Sequence, residues 1–540
     1  LRLQRTILLF AAALALLGYG LTRPGPAEVY SDPVSKVRAQ DETEYANSAT
    51  RMATQGGWAT PRFMGRYLLV KPPLLIWLSA LSMKLSGVSL FAFRLPTLLA
   101  GAFATVLLVL WAARSHSWWA AAAAGLLLAG NPLWHTFSRI AYTDMLLAAA
   151  MTSALGALAR DPGLAKRTGI AVFGASVAAG IMAKNAAGLL PVFVLAVLYL
   201  LTRRRPSTGV WKALALAALL AAPWHIYQAI VHGQWFWADY VKIQLLAFGL
   251  NPPAQPAVES HAVFYLKRLW LTDPVLSLGA AVALPLLLRA AWQRKAEAAL
   301  LTAWIAVVVA ALTAFQYRNL PYLLQLIPPL SLVAAEYSPL ASVKWRPVTI
   351  FVLCAAFFGK AWSAQSTWGL SYTSVSPLPA VAPLRWYAGL ARSNELIAVD
   401  SDDEFYAAVL PLPRVRYCFI DPSHVVLRYA PHYGTLGITV SAAQFNQLER
   451  WEPEFRAGLR EWGLDSGEPI ATSIYVESAE DVLRMIATHS GSDFYLPKEL
   501  LGPVEAASDG THRIYPLSNG RFFLLARNSE RFAGPRVWLN

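Results

Sequence analysis

AFRLPTLLAGAFATVLLVLWAA, residues 92–113, carries one charged side chain, Arg94, and is long enough to cross a bilayer as a helix. A spanning helix needs roughly 20 mainly apolar residues, because hydrocarbon offers no water to satisfy a broken backbone. Comparable runs lie near 6–22, 117–134, 143–159, 168–183, 186–202, 210–228, 268–288, 298–315, 321–337 and 347–365. The composition agrees: of 540 residues 56% are hydrophobic and 14% charged, against about one quarter charged in an ordinary globular chain. Mean hydropathy is +0.41. Two cysteines, Cys354 and Cys418, are too few for a disulfide framework or a cysteine-rich metal site. The net charge of +14 reads as cytoplasmic loops and anionic-lipid contacts rather than nucleic acid.

Orientation follows from the basic residues. With Arg2 and Arg5 in the cytoplasm, alternation through the runs places Arg114, Arg160, Lys166, Arg167, Arg203–Arg205, Lys212, Arg289, Arg294, Lys295, Lys344 and Arg346 inside. Only Asp161, Glu297 and Glu336 oppose them there. No small-x-small cleavage site follows the first run, so it reads as a retained span. A shorter apolar stretch, 72–87, would invert every later loop if it crossed. It therefore reads as a helix lying in or re-entering the outer interface, with Trp77 and Lys84 as anchors. Eleven to thirteen spans are expected, followed by a tail outside the cytoplasm.

The low charge density ends near residue 366. Residues 1–366 read as the membrane domain and 367–540 as a soluble α/β domain, with strands expected at Leu396–Val399, Val415–Ile420, Pro469–Val476 and Arg521–Ala526. Helices are expected at Ala442–Trp451 and Ser478–Thr488. The tail has no glycine-rich phosphate loop and no cysteine or histidine cluster, and no internal repeat is visible.

The outer loops are unusually polar. The first, 23–71, carries Asp41-Glu42-Thr43-Glu44-Tyr45, then Arg51, Arg62, Tyr67 and Lys71 before a double proline. A loop of that length in a compact protein is usually functional or disordered. Its acidic cluster also reads as a helix cap and a solvated face. The next outer loop ends Arg139-Ile-Ala-Tyr142-Thr143-Asp144, and Asp144 opens a helix. Lys184-Asn185 separates two spans, and Arg318 and Tyr322 precede another. Ionisable groups at membrane depth are costly and default to function when several converge. Six basic positions on one side (Arg51, Arg62, Lys71, Arg139, Lys184, Arg318) fit an anion site, and a lipid phosphate is the obvious anion there. Glu259 and His261, two apart, read first as solvated loop residues and second as a pair of metal ligands.

The stretch DETEYANSATRMATQGGWATPRFMGRYLLVKPPLLIWLSALSMKLSGVSLFAFRLPTLLAG (41–101) resembles the first-loop signature of type C membrane glycosyltransferases that use polyprenyl-phosphate sugars. SRIAYTDMLLAAAM (138–151), AKNAAGLLP (183–191) and YRNLPYLLQLIPPLSL (317–332) follow in the family's order. The likeness is nearest to the lipid A aminoarabinose transferases. Glu44 stands where many relatives have arginine, Lys184-Asn185-Ala186-Ala187-Gly188 departs from a lysine-glycine-proline pattern, and Arg318 replaces a common lysine.

The resemblance implies a donor of undecaprenyl-phosphate-linked sugar, a lipid A acceptor and an active site on the periplasmic face of a bacterial inner membrane. It implies catalytic roles for Asp41 and Asp144, and donor-phosphate contacts from Lys71 with Arg139, Arg318 and Tyr45. Glu42, Glu44, Arg51, Tyr67, Lys184 and Tyr322 are candidates for the remaining substrate contacts. No cofactor is required by this chemistry, although a divalent metal is compatible with it. Membrane lipids are expected partners and nucleic acid is not. The alternatives are another polyprenyl-phosphate sugar transferase, such as a protein O-mannosyltransferase, and a transporter or lipid-binding protein. Transporters place charge near the midplane and often show repeated halves, unlike this chain.

Overall fold

The computed structural model describes residues 2–18, 41–63, 66–115, 117–247, 261–315, 317–337, 387, 390, 394–399, 415–420, 473–476, 478–507, 510–517 and 520–527. Among the described residues ten α-helices lie before residue 232: α1 (Arg2–Gly18), α2 (Asp41–Gln55), α3 (Leu74–Ser86), α4 (Leu90–Ser115), α5 (Trp118–Ala129), α6 (Pro132–Ser138), α7 (Thr143–Arg160), α8 (Arg167–Lys184), α9 (Leu190–Thr202) and α10 (Thr208–Val231). A two-residue hairpin, β1 (Arg62–Phe63) with β2 (Arg66–Tyr67), lies between α2 and α3. Then come α11 (His261–Thr272), α12 (Pro274–Trp292), α13 (Ala296–Ala314) and α14 (Ile327–Glu336).

Among the described residues five helical runs are by themselves long and apolar enough to cross a bilayer, or six if the bent pair 132–138 and 143–160 counts as one. Shorter helices stand where longer runs were expected near 6–22, 117–134 and 321–337, and 347–365 lies outside the described residues. One of the five, Arg167–Thr202, is two segments. A Cβ on Gly188 would meet the Ile181 nitrogen at 2.0 Å, whereas seven residues of straight helix rise about 10 Å, so the chain reverses through the turn at Asn185–Leu189. Asn185 takes a left-handed φ of 43° to make that reversal.

Among the described residues the basic loops after α4, α7 and α9 lie at one end. Arg160 and Arg114 feel one another, and Tyr199 feels Arg204 and Asp161. The other end of the same helices carries α2, the start of α7 and the end of α8. Helix α3 spans only about 20 Å, too short for a core of about 30 Å. It buries Leu75, Ile76, Ser79, Ala80 and Met83 and exposes Leu81, Lys84 and Leu85.

The C-terminal part supplies a six-stranded sheet of order β5-β4-β3-β6-β8-β7. Its strands are β3 (Leu396–Val399), β4 (Val415–Ile420), β5 (Ser473–Val476), β6 (Asp493–Pro497), β7 (His512–Pro516) and β8 (Arg521–Ala526). The first four are parallel neighbours, and β8 and β7 continue the sheet antiparallel. Four strands fall where expected; β6 and β7 were not anticipated, because DFYLP and HRIYP end in proline and lack clean alternation. Helix α15 (Ala479–Thr488) and α16 (Leu501–Ala507) also lie here, with Ser478 and Asp481 closing a capping box on α15. The expected 442–451 helix and the 366/367 boundary lie outside the described residues.

Strand alternation gives the sheet two faces. Ile397, Phe494, Leu496, Phe522 and Leu524 pack with Val482 and Met485 of α15. Leu396, Ala398, Tyr495, Phe523 and Leu525 share one buried cluster with Tyr45 and Met52 of α2 and Leu75, Ile76 and Met83 of α3. The tail and the first loop therefore have a common core.

Helix α2 is held at its start by charge. Glu42 receives Nε and Nη2 of Arg94 at 2.7 and 3.1 Å, and its Oε1 also accepts the Ala141 backbone N–H at 3.0 Å. Both side chains are about 1–2% exposed. Removing one partner of a buried pair strands the other charge and costs about 3–5 kcal/mol, whereas replacing both with apolar groups costs far less. Glu42→Ala or Arg94→Ala should each lower unfolding free energy in detergent by about that amount, with Glu42→Leu/Arg94→Met much closer to the parent. Single variants as stable as the parent would show that the pair does not hold the loop.

Candidate active site

Asp144 lies in the first turn of α7, just after a break where α6 and α7 meet at 111°. The break brings a carboxylate to the bundle rim, where it is 3% exposed. Lys184, the last residue of α8, forms an ion pair with Asp144 Oδ1. Burial of both leaves little water to weaken the attraction. Gln325 Nε2 donates to the Asp144 backbone carbonyl at 3.2 Å, tying the 3₁₀ turn Leu320–Gln325 to the start of α7.

The same turn supplies Tyr322, whose ring lies 4.2 Å from the Lys184 ammonium. Asp144, Lys71, Tyr265 and Tyr317 all act electrostatically on Tyr322, so these side chains share one neighbourhood. Lys71 Nζ in turn donates to Tyr45 Oη at 2.7 Å. Asn185 Nδ2 donates to the Val70 carbonyl at 3.3 Å, which fixes the segment carrying Lys71 beside the α8 reversal. A carboxylate, two ammonium groups and two phenols thus converge from α2, α7, α8, the 68–73 segment and the 3₁₀ turn.

A second cationic group borders this one. Arg318 lies 5.7 Å and Arg268 5.4 Å from the centre of the Phe264 ring. The neighbouring Tyr265 hydroxyl accepts the Asn319 N–H at 3.3 Å. Arg268 escaped sequence reading because it lies inside an apolar run and resembles a snorkelling cation. Arg94 escaped for the same reason.

The expected residues divide accordingly. Asp144, Lys71, Tyr45, Lys184 and Tyr322 come together. Glu42, expected among substrate contacts, is instead turned inward to Arg94 and Ala141, because a carboxylate at the start of α2 faces the guanidinium in the first turns of α4. That bond also places residue 41, the first of α2, beside the 141–144 segment on the same rim as Asp144. Arg139 is buried and Nε donates to the His135 carbonyl in its own helix at 3.3 Å. Arg51 is half-buried further along α2. The side chains of Asp41, Glu44 and His261, and residue Glu259 as a whole, lie outside the described residues. Among the described residues no group of three or more His, Cys, Asp or Glu side chains converges as a metal site.

Tyr67 belongs to a latch that fastens the loop to α10. Its ring lies 4.2 Å from that of His232, and Arg62 lies 5.4 Å from the Tyr67 ring. His232 Nε2 is 3.0 Å from Thr60 Oγ1, while Gln228 Nε2 and Trp224 Nε1 donate to the Ala59 carbonyl at 2.7 and 2.9 Å.

Comparison with known proteins agrees with this architecture. Residues 70–249 match the family described as dolichyl-phosphate-mannose-protein mannosyltransferase. An undecaprenyl phosphate-alpha-4-amino-4-deoxy-L-arabinose arabinosyl transferase of Aeromonas salmonicida is 28% identical over 314 residues, 55% of each chain. A Pseudomonas aeruginosa protein of the same name is also 28% identical over 314 residues, 54% of each chain. The chain thus spans about half the length of the curated relatives it matches. The crystal structure of ArnT from Cupriavidus metallidurans bound to undecaprenyl phosphate superposes with a TM-score of 0.65 at 16% identity, covering 98% of this chain and 99% of that one. Its apo form gives 0.63, also at 16% identity, over 97% and 98%. The fold is that of a type C membrane glycosyltransferase.

Burial, and then Arg62, lower the pKa of His232 below its usual 6.5. The unfolded chain therefore binds more protons than the folded one as pH falls below about 6.5, so this contribution to stability is present above that pH and lost on acidification. His232→Gln should flatten the decline in thermal stability between about pH 6.5 and 5. An unchanged profile would rule out His232 as its source.

Proposed function

We propose that this protein transfers 4-amino-4-deoxy-L-arabinose from undecaprenyl phosphate to a phosphate of lipid A, at the periplasmic face of a bacterial inner membrane. The observation that carries the reading is the convergence of Asp144, Lys184, Tyr322, Lys71 and Tyr45 at the rim where α2 begins. The names of the curated relatives support the sugar and its carrier. Such a transfer modifies lipopolysaccharide and would favour polymyxin resistance. In this reading residues 1–366 are the membrane domain, 367–540 a periplasmic domain, and 72–87 an interfacial helix that admits lipid.

The bond between the anomeric carbon and the donor phosphate oxygen breaks, and its electron pair stays on undecaprenyl phosphate. Lys71 lies against that phosphate and stabilises its growing charge, with Arg318 and Arg268 bordering the same region. Tyr45 holds the Lys71 ammonium by the 2.7 Å bond. The sugar becomes oxocarbenium-like, and a carboxylate beside it is favourable. Asp144, fixed by Lys184, and Asp41 take that part. The acceptor phosphate oxygen attacks from the opposite face and inverts the anomeric centre. It is already ionised at neutral pH, so no general base has to remove a proton.

The family match over 70–249 favours one second reading, a polyprenyl-phosphate-sugar transfer to a protein hydroxyl. There one of the aspartates would accept the hydroxyl proton.

Labelled donor supplied with lipid A or with Ser/Thr peptides separates the two. Transfer to lipid A is expected, and transfer to peptide alone would replace the leading reading. Asp41→Asn and Asp144→Asn should each lower turnover about 100- to 1000-fold, the usual loss when one transition-state electrostatic contact is removed. Lys71→Ala should raise the donor KM at least tenfold with little effect on the acceptor KM. Full activity in both aspartate variants would remove the catalytic assignment, and equal losses for both lipids would remove that of Lys71.

A further inference from the structure

The end of the bundle away from Asp144 has no part in the transfer. Arg114 lies in the last turn of α4 and Arg160 in the last turn of α7, so about 24 Å of helix separates Arg160 from Asp144. A cation at a helix C-terminus is favoured by the carbonyls there, which accounts for each arginine singly. It does not account for two of them facing one another.

The two guanidinium groups are close enough to repel, and both residues are exposed in the folded chain. Among the described residues neither side chain makes an ion pair or a hydrogen bond. The acids at this end are engaged elsewhere. Asp161 follows Arg160 directly, yet its Oδ2 accepts the Lys166 N–H at 2.8 Å. Glu297 accepts the Trp111 indole N–H at 2.5 Å and lies with Glu336 beside Tyr337. Residues 337–394, the chain that follows α14, contain no aspartate or glutamate.

The depth of the pair is marked by aromatic side chains. Trp118 and Trp119 open α5 just after Arg114 and are 53% and 47% exposed. Trp211, beside Lys212 at the start of α10, and Trp292, in the turn before α13, are exposed as well. Exposed indoles gather where hydrocarbon gives way to headgroups, because the ring is apolar and its N–H polar. The arginines therefore stand at the level of lipid phosphates, whose oxygens suit a planar guanidinium fork. A zwitterionic headgroup brings its own ammonium, so two unbalanced cations favour a lipid with net negative charge.

We propose that Arg114 and Arg160 form a seat for the headgroup phosphate of one anionic phospholipid, with Trp118 and Trp119 against the start of its acyl chains. The lipid bridges α4 and α7 and stabilises the bundle without entering the reaction. Its binding is independent of the function proposed above.

Melting of the full chain in mixed micelles tests this. Phosphatidylglycerol should raise the melting temperature by about 2 °C more than phosphatidylcholine does. Arg114→Gln/Arg160→Gln should lose that difference. Arg289→Gln/Lys295→Gln, which removes the same charge from exposed positions at the ends of α12 and α13, should keep it. If Arg114→Gln/Arg160→Gln does not fold, Arg160→Gln decides, with the difference at least halved. A difference undiminished by loss of Arg114 and Arg160 would overturn the seat. Its loss in both double variants would also overturn the seat and assign the effect to diffuse attraction between lipid and basic loops. Equal stabilisation of the parent by the two lipids would overturn the anionic headgroup as the ligand.

Discussion

The bond between Glu42 and Arg94 is the constraint on which the rest depends. A long loop outside the helix bundle has no covalent reason to occupy one position. Here its helix is fixed at the first turn by a two-pronged buried ion pair to α4, and the same carboxylate caps the Ala141 N–H in the break before α7. Helix α2 and the start of α7 are thereby set beside one another, and residues 41 and 144 come to the same rim. The desolvation of both charges is offset only because every carboxylate oxygen has a partner. The latch of Trp224, Gln228 and His232 on residues 59–60 fixes the far end of the loop.

Between those two attachments lies a site whose groups balance one another. Lys184 neutralises Asp144 and leans on Tyr322, and Lys71 is steadied by Tyr45. Tyr45 also belongs to the core that joins α2 and α3 to the C-terminal sheet. Packing in the tail can therefore reach the Lys71 ammonium through one side chain. That is a physical link between the C-terminal sheet and the first loop.

Much of this was legible in the order of residues. Apolar runs and the distribution of Arg and Lys gave the bundle and its two unlike ends, because hydrophobic thickness and charge placement act on local sequence. The acidic and basic positions of the outer loops were legible as a set, since ionisable groups at membrane depth are rare. Their partners were not. Glu42 and Asp144 look alike as loop carboxylates, yet one is bound to Arg94 and the other to Lys184. Arg94 and Arg268 sit inside apolar runs and give no sign of which side chain they face. Strands β6 and β7 were hidden because their prolines and mixed polarity suit the end and edge of a sheet rather than an alternating strand.

The sequence by itself determined that this chain is a multi-pass membrane protein and which of its loops carry the charged residues. Those conclusions depend on composition and on short-range periodicity. Only the tertiary structure decided which of the charged residues pair and that the tail packs on the first loop. Such contacts join positions from tens to hundreds of residues apart, and no local pattern encodes them.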